Sequence, residues 1–211
     1  MIGDKLIIER QHSERADELC LALSPLIRRG YTISVAGESG AGKSELAFEL
    51  ARLLNESGVP SGILQQDDYF VFPPKTNHEM RRRNIEQVGT YEVKLDYLDA
   101  NLRNFKRGEN PIYKPLTNFN EDRITTEEFD ASELMVLIAE GTYTSLLKFV
   151  DYRIFIDRDY HHTLGNRKRR ARDKFDPFMI DVLEREHHII SGHKVMADAI
   201  ISTEFDRIIY P

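Results

Sequence analysis

The stretch Gly37-Glu38-Ser39-Gly40-Ala41-Gly42-Lys43-Ser44 fits Gly-x-x-x-x-Gly-Lys-Ser/Thr, the spacing of a loop that cradles phosphate. The chemistry it serves is neutralisation of phosphate charge. Glycines at 37, 40 and 42 let successive backbone N–H groups, those of Ser39 and Ala41 among them, point into one concavity. A following helix adds roughly half a positive charge at its N-terminus. Lys43 supplies a full charge for the β- and γ-phosphates, and Ser44 a hydroxyl for Mg²⁺.

Three further groups could complete phosphoryl transfer, which needs an oriented nucleophile and a neutralised phosphate. Asp67 and Asp68 follow an apolar segment, where a carboxylate could take the proton of an attacking hydroxyl or hold water on the metal. Glu140 ends the apolar run Leu134–Ala139 and precedes Gly141, a strand-tip position suited to the metal's coordination sphere. Arg167-Lys168-Arg169-Arg170-Ala171-Arg172-Asp173 carries five cations and then an acid. On a helix Arg169 and Arg172 share a face, and guanidinium groups closing over a triphosphate would stabilise the transferred charge. Tyr69, Phe70, Tyr91 and Tyr113 could line an acceptor pocket. His161-His162 and His187-His188 are adjacent pairs that point to different helix faces, a poor metal arrangement. Arg81-Arg82-Arg83 reads as a solvated or substrate-side loop.

These groups need elements to hold them. Tyr31–Ala36 is β-branched and half-alternating, as a strand requires. Glu45–Leu54 is amphipathic, with Leu46, Leu50, Leu53 and Leu54 on one face and Gly58 as its stop. Ser13–Arg29 reads as a helix capped by Ser13, stopped at Gly30, and kinked or split at Pro25. Ser61–Gln65 is a short strand. Residues 72–130 are irregular, broken by Pro73-Pro74, Pro111 and Pro115, with a short helix over Asp96–Arg107. Residues 134–139 and 153–157 are buried strands, 176–190 a helix, and 199–201 and 207–210 terminal β segments. Strands separated by helices predict an α/β fold: a central parallel sheet with helices on both faces, its ligands at the carboxyl edge.

Size and composition agree. The 211 residues can enclose a substantial core, and 41% hydrophobic with 30% charged residues is ordinary for a globular chain. A net charge of −6 argues against a general nucleic-acid binder. The single Cys20 has no internal partner and lies in an apolar stretch. No signal-peptide core or membrane-length apolar run is present, which makes the cytoplasm the expected location.

Taken in order, Gly37–Ser44, Gln66-Asp67-Asp68-Tyr69-Phe70, Pro111-Ile112-Tyr113, Val136–Gly141, Arg169-Arg170-Ala171-Arg172-Asp173 and Ala197-Asp198-Ala199-Ile200-Ile201 resemble the uridine kinase and phosphoribulokinase family over roughly residues 31–210. The resemblance implies a P-loop three-layer sandwich of the nucleoside-kinase kind with an Arg-rich lid. It implies an ATP- and Mg²⁺-dependent kinase for a hydroxyl of a small metabolite, with a nucleoside such as uridine or cytidine as the leading acceptor. Nicotinamide riboside, pantothenate, phosphoribulose and glycerate are the alternatives, and a nucleotide-dependent switch is the reading from another class. It assigns Asp67 as base or metal-water ligand, Glu140 and Ser44 to the metal, Arg169 and Arg172 to the lid, and Tyr113 to the nucleoside. The family's His-Pro-x-Ala-Phe-Asp segment is matched only at Asp96. Its His after the tyrosine is absent, the neighbourhood here being Thr117-Asn118-Phe119. On this reading residues 1–211 form one kinase domain: 1–30 a helical extension, 67–130 the acceptor region with Asp68, Tyr69, Tyr91, Asp96 and Tyr113, and 160–190 the lid and its following helix. The expected partner is a small acceptor, neither nucleic acid nor membrane, with a homo-oligomer left open.

Overall fold

The computed structural model describes residue 2, residues 6–163 and residues 176–211. Five parallel strands and one antiparallel strand form the main sheet in the order β2-β5-β1-β6-β7-β8. They are β1 (Tyr31–Gly37), β2 (Ser61–Gln65), β5 (Val136–Glu140), β6 (Tyr152–Ile156), β7 (Ala199–Ile201) and β8 (Ile208–Ile209). Only the β7–β8 pairing is antiparallel. The central strands β1 and β5 are buried on both faces, which is why β5 reads as a continuous apolar run.

The two faces have separate cores. On one, α1 (Arg10–Leu23) and α2 (Lys43–Glu56) press Ala16, Leu19, Leu46 and Leu50 against Ile33, Val35, Val136 and Ile138. On the other, α4 (Leu95–Lys106) and the end of α5 (Phe178–Ile190) set Leu98, Leu102 and Ile190 against Leu64, Leu137 and Ala139. Alternate β5 residues thus feed opposite cores, as the two-residue strand period demands. Each fully buried leucine contributes about 1.5–3 kcal/mol.

The first helix begins and ends earlier than its sequence suggests. Glu9 is its N-cap residue, and the Glu9 amide donates to His12 Nδ1 at 2.9 Å. Ser13 lies inside the helix, where its hydroxyl donates to Glu49 of α2 at 2.7 Å. Pro25 does not kink the helix; α1 stops at Leu23, with Ser24 still at helical angles and its amide on Cys20 O, and Pro25 has no N–H with which to extend the ladder.

The span 72–130 is more regular than its prolines imply. Pro74–Arg83 is helix α3, with Pro74 in its first turn, where a missing N–H costs nothing. Arg81, Arg82 and Arg83 are its last turn and not a loop, and cations there suit the helix dipole. Residues 112–129 form an antiparallel hairpin of β3 (Ile112–Asn118) and β4 (Arg123–Phe129), separate from the main sheet. The main chain of Ile2 pairs with the hairpin's other edge at Thr117 and Phe119. Among the described residues no helix is long and apolar enough to cross a membrane.

Candidate active site

Three neighbouring strands end at the same level. Register pairs Val35 with Glu140 and Gln65 with Glu140, so the tips of β1, β2 and β5 meet. From β1 the chain turns through the glycine-rich loop into α2. Gly42 sits at the N-cap with φ +102°, and an added Cβ would come within 3.0 Å of His12 Nε2, so neither conformation nor space admits a side chain. The loop closes on one carbonyl: Glu38 O accepts the Ala41 amide at 3.1 Å and the Lys43 ammonium at 2.8 Å. Ser39 O accepts the Thr163 hydroxyl at 3.2 Å.

Glu140 is the junction. Its Oε1 accepts the Ser44 hydroxyl at 3.2 Å and the Gln65 side-chain amide at 3.3 Å. Gly141 then lets the strand tip approach the next segment: at φ +154°, a Cβ there would stand 2.2 Å from Gln66 Cβ. The Gln66 side chain in turn accepts the Tyr143 amide at 2.7 Å. Gln66 leads directly into Asp67, so this packing sets where the aspartate stands.

Both carboxylates beside the loop are desolvated. Burial pushes the Glu140 carboxyl up to about 7, with the nearby Asp67 adding to the rise and Lys43 opposing it. Asp67 is raised as well, first by desolvation, with Lys43 pulling it down and Asp68 pushing it up. Two carboxylates, one hydroxyl and one ammonium therefore share a poorly solvated space. Such a hard-oxygen set with excess negative charge fits a divalent cation that is completed by water and phosphate oxygens. Among the described residues no cluster of three His, Cys, Asp or Glu side chains forms a metal cage.

The predicted acceptor residues divide. Asp68 and Tyr69 are structural. Asp68 is buried, its Oδ2 taking the Lys114 ammonium at 3.0 Å and its Oδ1 the Thr117 amide at 2.9 Å, which fastens the segment after β2 to the hairpin. Tyr69 is 0% exposed, and its hydroxyl accepts from Asn101 at 2.8 Å. It fills the core beneath the site. Tyr91 at 82% and Tyr113 at 55% exposure are open to solvent, as is Asp96 in the first turn of α4. Main-chain bonds from Lys94 to Tyr69 O and from Val71 to Glu92 O, both 2.8 Å, hold residues 91–96 beside the Asp67 segment. Arg169 and Arg172 lie outside the described residues.

Several site-shaping groups carried no sequence signal. Lys114 is buried within a strand between Asp68 and Glu127. Arg81, expected in a solvated or substrate-side loop, is half-buried, paired with both Glu92 oxygens at 2.7 Å and lying over the Phe70 ring at 5.7 Å. Glu38 meets His187 of α5. Each depends on partners more than ten residues away, which spacing alone does not reveal. Gln65 was findable as the last residue of a strand that leads into Asp67.

Comparison with known proteins follows the same lines. The model of the Phosphoribulokinase / Uridine kinase family matches residues 32–176. The bifunctional alpha-galactosidase/sucrose kinase AgaSK of Mediterraneibacter gnavus is 29% identical over 186 residues, which are 82% of this chain and 20% of that protein; the chain thus spans about a fifth of AgaSK. A uridine kinase of Leuconostoc citreum (strain KM20) is 26% identical over 194 residues, 86% of this chain and 89% of that one. A solved structure described as a possible uridine kinase from Bacillus stearothermophilus gives a TM-score of 0.63 at 20% identity, covering 89% of this chain and 97% of that one. At that identity the likeness speaks for the fold.

Proposed function

We propose that this chain, which belongs to the Phosphoribulokinase / Uridine kinase family, is an ATP-dependent kinase that phosphorylates a hydroxyl of a small metabolite. The observation that carries the reading is the Ser44–Glu140–Gln65 junction, set beside Lys43 and Asp67 at the ends of three adjacent strands. The loop amides and Lys43 bind and orient the triphosphate. Ser44 and Glu140, with Asp67 through water, would hold Mg²⁺, which when bound screens phosphate charge. Asp67 orients the acceptor hydroxyl and takes its proton as the new P–O bond forms and the β,γ-bridging bond breaks. Its desolvated setting makes it a stronger proton acceptor than a surface aspartate, and Lys43 opposes that rise. The lid arginines Arg169 and Arg172 would add charge from the segment beyond Thr163. The cytoplasm is the proposed location.

A nucleoside such as uridine or cytidine is the leading acceptor, supported by the similarity to a uridine kinase over 89% of that protein's length. A sugar is the second reading. It is favoured by the similarity to AgaSK, named in part as a sucrose kinase, and by Thr117-Asn118-Phe119 standing where uridine kinases carry their histidine. Release of ADP should be followed with uridine, cytidine, nicotinamide riboside, pantothenate, ribulose 5-phosphate, glycerate and sucrose as acceptors. One acceptor should stimulate strongly, and Lys43→Ala should remove about 10²–10³-fold of that rate. Stimulation by none of them, with slow hydrolysis alone, would favour the nucleotide-dependent switch.

A further inference from the structure

Helix α5 returns to the phosphate loop through one side chain. His187 Nδ1 lies 2.5 Å from Glu38 Oε1. Glu38 is the second residue of the loop and is buried. Its carbonyl oxygen holds the Lys43 ammonium, so its position and that of the phosphate-gripping lysine are linked. The Tyr160 backbone adds a hydrogen bond to the same carboxylate, and Asp159 places a second negative charge nearby. The Tyr160 ring meets His187 edge-on at 5.8 Å.

A carboxylate here opposes the purpose of the loop. Amides and Lys43 attract phosphate, whereas Glu38 repels it at short range and in a poorly solvated place. A loop that carries a glutamate must therefore keep it turned aside and matched by a donor. His187 does both: its N–H donates to the carboxylate, and its helix fixes the direction in which that carboxylate points.

We propose that His187 is a positioning residue for nucleotide binding, restraining the Glu38 carboxylate that would otherwise oppose the triphosphate and pinning α5 to the loop. The inference rests on the kinase reading above, and one set of binding measurements separates the two. ATP affinity is measured by calorimetry for the full-length wild type, His187→Ala, Glu38→Gln and the double variant, with thermal midpoints to confirm folding. His187→Ala should weaken ATP binding about tenfold, the order of one poorly screened like-charge contact. In the Glu38→Gln background the same change should matter by about twofold or less, because the charge needing restraint is gone. His187→Asn, which keeps a donor, should retain most of the affinity. Wild-type-like binding by His187→Ala would overturn the proposal. So would an equal loss in both backgrounds, which would mean that His187 acts on the nucleotide itself. A wild type that fails to bind ATP would overturn the kinase reading as well.

Discussion

Lys114→Met should be among the most damaging single changes to this fold, and the structure says why. The Lys114 side chain is 7% exposed and that of Asp68 is 2% exposed, with 3.0 Å between their charged atoms. Methionine keeps the length and much of the volume of the lysine stem, so packing is largely preserved. What is lost is the cation. Asp68 retains the Thr117 amide but becomes a buried carboxylate without a counter-charge. Breaking one side of such a pair costs about 3–5 kcal/mol. The second partner, Glu127, is 38% exposed, and its solvated arm contributes about 0–1 kcal/mol. Against a typical total of about 5–15 kcal/mol, this is a loss of about a fifth or more. Urea unfolding followed by circular dichroism measures it directly. Asp68→Asn added to Lys114→Met should recover about 1–3 kcal/mol, because the stranded charge has been removed. Because Asp68 adjoins Asp67, the single variant should also lower turnover in whatever fraction remains folded. A loss below about 1 kcal/mol for Lys114→Met, or no recovery in the double variant, would refute the view that this ion pair fastens the hairpin to the site.

Asp67→Asn should leave ATP affinity within about threefold while slowing phosphoryl transfer about 10²–10⁴-fold; isothermal titration beside initial-rate measurements checks it, and the reverse pattern would remove the base role. Asp151→Asn should destabilise the fold by about 2 kcal/mol, since the carboxylate takes the Thr32 amide at 3.0 Å, the Thr32 hydroxyl at 2.9 Å and the Arg28 guanidinium at 3.1 Å, with Lys106 beside them. These partners hold Asp151 below its ordinary value of 3.8 against the cost of burial. The stability it contributes is therefore full above about pH 4–5 and is lost as pH falls through the depressed folded value. Thermal melts from pH 3 to 7 should show the variant with a smaller stability gain on rising pH than the wild type.

The phosphate end of this protein was written locally. A loop of eight residues, the strand before it and the helix after it obey rules that act within a few residues: glycine angles, apolar periods of two and 3.6, an acid at a strand tip. The parallel sheet followed, because apolar runs separated by helices have few other ways to bury both faces. Tyr69 and Asp68 show where this reasoning stops. Next to Asp67 they look like acceptor contacts, yet one fills the core and the other anchors a hairpin. Their fate was decided by Asn101, Lys114 and Thr117, which are 32, 46 and 49 residues away. Arg81 likewise needed Glu92 across a helix and a turn to be drawn inside. The hairpin was hidden because Pro111 and Pro115 interrupt the local signal, while its stability comes from cross-strand pairing that no short window contains. Sequence settled which groups could handle phosphate. Only tertiary structure settled which neighbouring charges face the site and which are buried to hold it, since desolvation and pairing depend on what the rest of the chain brings alongside.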